Sequence, residues 1–243
     1  MSLLKNLATD KSIADERDSI GGGGALESGL YPAVINLAYV TTSQGGATGL
    51  VLQAKTDQGR DIKQTLWMTS GTAKGAKNYY EKDGKKSYLP GFIAANALAR
   101  LTVEKDISEL ETETKVVNVY NKDAKAEVPT KVECITDLHG KEVIFGLIKN
   151  KVDKTVKNET TGVYEPTGET REENEVDKFF RASDRMTTSE IRAAANEATF
   201  AETWANKWTG QVRDKAKGAA AGGTAGAPKA AGTKKPTTSL FAA

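Results

Sequence analysis

From Tyr31 to Ser70 apolar and polar residues alternate with a period close to two, the pattern of half-buried strands. Tyr31, Ala33, Ile35, Leu37 and Tyr39 fall on one face of a first strand, and Gly45-Gly46 supplies a turn. Leu50, Leu52 and Ala54 continue a second strand, Gln58-Gly59 supplies the next turn, and Ile62 to Met68 forms a third. A glycine-bearing loop is predicted from Ser70 to Tyr88. Pro90 then stands at a helix start, followed by Ile93, Ala97, Leu98 and Leu101 at helical spacing.

Beyond this helix, Val116 to Tyr120 and Val128 to Thr136 read as strands joined by a turn at Lys122-Asp123. Val143 to Val152 is rich in β-branched and aromatic residues and reads as another strand. Residues 153–177 are polar and acidic, fitting an extended hairpin or a surface loop. Thr187 and Glu190 have capping-box spacing. Ile191, Ala194, Ala198, Ala201, Trp204 and Trp208 then form one stripe at intervals of three and four, predicting a single C-terminal amphipathic helix.

The order β-β-β-α-β-β predicts a mainly β fold with some helix: an OB-fold-like, five-stranded, partly open barrel with an intervening helix. The expected organisation is a flexible N-terminal arm over residues 1–28, ending in Gly21-Gly22-Gly23-Gly24, and an OB-like domain over 29–182. A helix follows over 183–210, and a disordered Ala/Gly/Lys tail over 211–243.

Charge sharpens this picture. The formal net charge is +2, yet residues 207–243 hold seven Lys or Arg against Asp214 alone, a surplus of +6 that leaves −4 for the rest. The single cysteine, Cys134, permits no internal disulfide and fits a reducing compartment. No run approaches the roughly 20 apolar residues of a membrane span, and Met1 to Lys5 leads into polar sequence without the apolar core of a signal peptide.

The densest chemistry lies between Lys63 and Phe92. Six lysines (Lys63, Lys74, Lys77, Lys82, Lys85 and Lys86) meet two acids, Glu81 and Asp83, and five of the chain's sixteen aromatics fall in the same stretch. Ammonium groups follow phosphates while aromatic faces stack on unpaired bases, so this mixture points to single-stranded nucleic acid. The candidate binding residues are Lys63, Trp67, Lys74, Lys77, Tyr79, Tyr80, Lys82, Lys85, Lys86 and Tyr88. Trp67 lies in an apolar strand and reads first as a core residue, with the tyrosines and lysines of residues 74–88 carrying the hypothesis.

Catalysis finds no support. His139 is the only histidine and sits beside Gly140 as a solvated turn residue; Cys134 reads as a small buried hydrophobe. One Cys and one His do not make a structural zinc site. The carboxylates of Glu169 to Asp177 read as a solvated acidic loop, with a metal-dependent nuclease as the remote alternative. There is neither a P-loop nor a dinucleotide fingerprint. No catalytic residue, metal or cofactor is therefore expected.

Several segments resemble bacteriophage single-stranded DNA-binding proteins. They are Leu26-Glu27-Ser28-Gly29-Leu30-Tyr31-Pro32, Thr65-Leu66-Trp67, Lys77-Asn78-Tyr79-Tyr80, Tyr88-Leu89-Pro90-Gly91-Phe92, the run Pro166 to Glu175, and Ser239-Leu240-Phe241. The resemblance implies an OB-type barrel, sequence-tolerant binding of single-stranded DNA in phage replication or recombination, and a place in the cytoplasm of the infected host cell. Further expected partners are phage replication proteins met through the C-terminal tail, and a second copy of the chain in a homo-oligomer. The tail departs from the family, which carries an acidic tail with a terminal aromatic; here it is basic and ends Ser-Leu-Phe-Ala-Ala. A phage structural or assembly protein without enzymatic activity is the alternative.

Overall fold

The computed structural model describes residues 24–121 and 124–217. The expectations for the glycine run before Gly24, the turn at Lys122-Asp123 and the tail beyond Lys217 lie outside the described residues.

The predicted meander is present as β1 (Gly29–Thr42), β2 (Thr48–Thr56) and β3 (Asp61–Trp67) in antiparallel register. β1 carries a bulge between Ile35 and Leu37. Because an extra residue reverses which side chains face inward, Tyr31, Ala33 and Ile35 enter the main core, whereas Ala38 and Val40 enter it beyond the bulge. Leu37 and Tyr39, expected on the face of Tyr31, instead turn outward. They join Val51 and Cys134 in a second cluster, packed against Val117, Val119 and Val132.

The loop expected between Ser70 and Tyr88 contains a hairpin of its own, β4 (Tyr79–Lys82) with β5 (Lys85–Tyr88), forming a separate two-stranded sheet. Asp83-Gly84, both at positive φ, makes the two-residue turn such hairpins need. Helix α1 (Pro90–Val103) starts with Pro90 in its first turn and buries Ala95, Leu98, Ala99 and Leu101. Ile93, placed on the apolar stripe from sequence, is exposed.

Next come β6 (Glu113–Asn121) and β7 (Ala126–Cys134), paired antiparallel, then the long hairpin of β8 (Glu142–Lys157) and β9 (Tyr164–Arg181). Residues 153–177 thus belong mostly to paired strands. Several of their acids are paired with cations: Lys149 lies 2.9 Å from Glu172, and also from Glu27, Lys154 lies 2.8 Å from Glu169, and Arg171 lies 2.9 Å from Glu173.

One edge of β1 pairs with β2; the other pairs with β8 over Gly29–Val34 and with β7 at Tyr39–Val40. The gap between those two partners is filled by residues 135–141. Here Gly140 N–H donates to Ile35 O, and Ala38 N–H donates to His139 Nε2 at 3.1 Å. His139 is therefore a half-buried bracket for the bulged strand, not the solvated turn residue expected.

The single C-terminal helix expected from sequence is two helices, α2 (Thr188–Arg192) and α3 (Thr199–Trp208), with Ala194 between them at φ 49°. The capping box at Thr187 and Glu190 forms as predicted. The second oxygen of Glu190 accepts from Phe200 N–H at 2.8 Å, so one carboxylate caps both helices. Ala201 and Trp204 are buried against Ile144, Ile148 and Phe180. Gly146 leaves room for that indole, since a Cβ there would lie 3.0 Å from the Trp204 ring. Finally β10 (Val212–Asp214) runs parallel to β8.

The result is mainly β with a few helices, as expected, but the sheet is large and open with eight strands, where a five-stranded, partly open barrel was expected. Within it, five strands follow the order β3-β2-β1-β8-β9. The outer two, β3 and β9, are joined through a side chain: Val176 N–H donates to Gln64 Oε1 at 2.6 Å, and Gln64 Nε2 donates to Val176 O at 3.4 Å. Val176 sits where the β8–β9 register shifts between Gly146 and Leu147. Residues 26–28, placed in the N-terminal arm from sequence, are tied down. Leu26 exchanges two bonds with the Asn174 side chain, and buried Ser28 accepts from Lys149 N–H through its hydroxyl.

Candidate nucleic-acid interface

Three elements bound an open groove of about 1000 Å³: the end of β3 from Gln64 to Trp67, the segment from Thr69 to Glu81, and the start of α1 at Pro90 to Ala94. Its far wall is Glu175, Val176 and Asp177 of β9. The groove thus lies over the seam that Gln64 closes.

Local sequence explains how the walls stand. The β1–β2 turn is pinned to the loop, with Thr72 N–H donating to Gly45 O at 2.9 Å. Ser70 N–H donates to Lys77 O and Lys77 N–H to the Ser70 hydroxyl, which closes the base of the β4–β5 hairpin. Leu89 N–H donates to Asn78 O and ties the hairpin to the helix start. Gly91 lets α1 approach β3: a Cβ there would stand 2.1 Å from Trp67 O.

Trp67, expected in the core, is 44% exposed and lines the groove. The alternation of β3 decides this: Leu66 points into the core, so Trp67 points out, with its indole seated over Gly49 of β2. Lys63 and Thr65 share that outward face by the same alternation.

The hairpin has two unlike faces. Cross-strand partners share a face, which groups Tyr79 with Tyr88 and Glu81 with Lys86, and on the reverse Tyr80 with Ser87 and Lys82 with Lys85. On the first face the rings are already engaged. Lys77 and Lys86 stand 5.6 and 5.0 Å from the Tyr79 ring centroid, and Tyr88 packs on Phe92 at 4.9 Å. On the second face Tyr80 is 48% exposed, with Lys82 and Lys85 beside it at the hairpin tip. The structure therefore brings Trp67, Lys74, Lys77, Tyr79 and Tyr80 to one groove. Lys82 and Lys85 extend outward from it, Tyr88 stands toward α1, and Lys63 lies on the outer face of β3.

The electrostatics set these lysines apart from those of β8. Among the described residues, none of Lys63, Lys74, Lys77, Lys82, Lys85 and Lys86 forms an ion pair, whereas Lys149, Lys151 and Lys154 of β8 all do. The acids of the far wall are neutralised by the C-terminal strand: Arg213 contacts Glu175 at 2.7 Å and Asp177 at 3.5 Å, and Lys215 bonds Glu175. Asp177 also accepts from Trp204 Nε1 at 2.9 Å. Burial alone would raise the Glu175 pKa, but Lys215, the Asn150 amide and Arg213 outweigh it and hold the carboxyl below its ordinary value. Glu81 is the acid on the groove wall without a cation partner among the described residues. Sequence reasoning missed this far wall: Gln64 carries no local signal, and Glu175 and Asp177 read as part of a solvated acidic loop, because only the tertiary contact between Gln64 and Val176 brings β9 to β3.

Burial pushes the Cys134 thiol above its ordinary pKa, which disfavours the thiolate a nucleophile or metal ligand needs. Among the described residues no three His, Cys, Asp or Glu side chains are placed to hold a metal ion. No helix among them is long and apolar enough to cross a membrane. No family model matches the chain, and neither does any curated protein sequence.

Proposed function

We propose that this chain is a non-enzymatic, sequence-tolerant single-stranded DNA-binding protein of OB type, protecting and organising the strand during phage replication or recombination in the infected host's cytoplasm. The OB assignment is supported by the strand order β3-β2-β1-β8-β9, with α1 between the third and fourth of these in the chain. On this reading the β4–β5 and β6–β7 hairpins and β10 are additions to the five-stranded unit.

The observation that carries the functional reading is the conjunction at the groove: exposed Trp67 and Tyr80 beside lysines that form no ion pair among the described residues. A lysine already paired loses part of its attraction for phosphate; an unpaired one releases counterions when it meets the backbone. An exposed indole or phenol face stacks on a base of any sequence, and a base is available for stacking only in a single strand. Trp67 and Tyr80 serve as platforms; Lys74, Lys77, Lys82 and Lys85 follow the phosphates. Tyr79 and Tyr88 set the hairpin's position, and Lys63 extends the basic track along β3.

The test is a titration with an oligothymidylate of about 16 nucleotides, followed by tryptophan fluorescence and repeated at about 50 and about 200 mM salt. Quenching is expected, with affinity falling steeply as salt rises. Trp67→Phe should abolish most of the signal change, and Tyr80→Ala should weaken binding by about 1–3 kcal/mol. Absence of binding at the lower salt sinks the proposal. So does equal competition by duplex of the same length.

A further inference from the structure

We propose that the open edge of β6 pairs antiparallel with β6 of a second copy, about a two-fold axis through Asn118, and so joins two protomers into one continuous sheet.

Among the described residues β6 hydrogen-bonds in the sheet to β7 alone, so its other edge presents N–H and C=O groups that no described strand takes up. Such an edge templates another strand unless a charge, proline or bulge blocks it. β7 carries such guards: only Glu133 and Cys134 of β7 pair with β1, and the remaining free edge holds Pro129 and Lys131. β6 has nine residues in unbroken register with β7, without bulge or proline, and Lys115 is its only cation.

Pro129 also fixes which β6 groups face outward. It stands opposite Asn118, and having no N–H it fits a ladder only at a pair that exchanges no main-chain bonds. The N–H and C=O of Asn118 therefore point to the open edge, as do those of Val116 and Tyr120 by alternation.

The side chains select the register. Val116, Asn118 and Tyr120 share one face of β6; Val116 is 62% and Tyr120 53% exposed. An isologous pairing requires residue i to meet j while j meets i. Centred on Asn118, it sets Val116 against Tyr120 twice and Val117 against Val119 twice, with the two Asn118 side chains at the axis. Lys115 lies opposite the neutral Asn121. Centring on Val117 instead would set Val116 against Asn118 and Lys115 against Val119, which wastes both exposed apolar residues. The partner surface is thus a second copy of this strand, recognised by main-chain bonds and an alternating valine and tyrosine pattern. A contact this narrow makes a micromolar, concentration-dependent dimer.

The experiment uses the full chain. Sedimentation equilibrium over micromolar to submillimolar protein is expected to show monomer and dimer. Val116→Lys and Tyr120→Lys, both at exposed positions, should shift the population to monomer while circular dichroism stays unchanged. Asn118→Cys should form a disulfide-linked dimer on air oxidation, because residues at the axis lie within disulfide reach. Val116→Cys should not, because its symmetry mate lies beyond the roughly 7 Å limit between Cα atoms. Monomer at every concentration overturns the proposal. So does a dimer that both lysine variants leave intact, or one that links through Val116→Cys and not through Asn118→Cys.

Discussion

Replacing Gln64 by leucine removes a side chain that bonds β3 to β9. Val176 is 5% exposed, and its N–H donates to Gln64 Oε1 at 2.6 Å. Leucine preserves much of the volume but accepts no bond, so the substitution leaves a buried donor unpaired. The cost of such a group is about 1–3 kcal/mol. The second bond, from Gln64 Nε2 to Val176 O at 3.4 Å, is long and adds little. Urea unfolding of a domain this size has a slope of roughly 2.5 kcal/mol per molar. The midpoint should therefore fall by roughly 0.4–1.2 M with the slope unchanged. Hydrogen exchange gives a second readout: the Val176 amide should lose protection in Gln64→Leu, while amides inside the β1–β2 ladder keep theirs. A wild-type midpoint together with wild-type protection at Val176 would refute the view that Gln64 ties β3 to β9.

Removing Lys82 and Lys85 together should lower the slope of log affinity against log salt by about 1.4, at about 0.7 per phosphate contact on a single strand, as read from titrations at several salt concentrations. Glu81→Gln should act in the opposite sense, tightening binding, because it deletes the unmatched charge on the groove wall. Acid should loosen β10. The Glu175 carboxyl is held below its ordinary value of 4.5, so its contribution is present above that value and is lost as pH falls through the folded-state pKa. Arg213, which Glu175 binds, lies 5.5 Å from the Trp208 ring. A change in Trp208 fluorescence below about pH 4.5 should therefore disappear in Glu175→Gln. Gly91→Ala should lower the thermal midpoint and distort the groove, since its Cβ would overlap the Trp67 carbonyl; a variant as stable as wild type would contradict the close approach of α1 to β3.

Local chemistry was legible wherever it acts over a few residues. The period-two runs gave β1 to β3, Pro90 gave the start of α1, and Thr187 with Glu190 gave the start of α2, because alternation and capping are decided within one or two turns. The concentration of lysines and aromatics between Lys63 and Phe92 was equally plain, being a matter of composition.

What each of those residues faces was decided by the tertiary structure. The bulge after Ile35 sent Leu37 and Tyr39 to the outer face, and it falls where the other edge of β1 passes from β8 to β7, which no local pattern records. Trp67 is exposed because Leu66 takes the core position and Gly49 of another strand leaves space for the indole. The stripe from Ile191 to Trp208 reads as one helix, yet it breaks at Ala194, and Glu190 caps both of the helices that result. Above all, the groove needs β9 beside β3. That contact spans more than a hundred residues and rests on Gln64 meeting Val176, a pairing that exists only in the folded chain. The sequence by itself determined β1 to β3, the starts of α1 and α2, and the charge between Lys63 and Phe92; the tertiary packing decided which of those lysines, among the described residues, stay without an ion pair and which rings stay exposed.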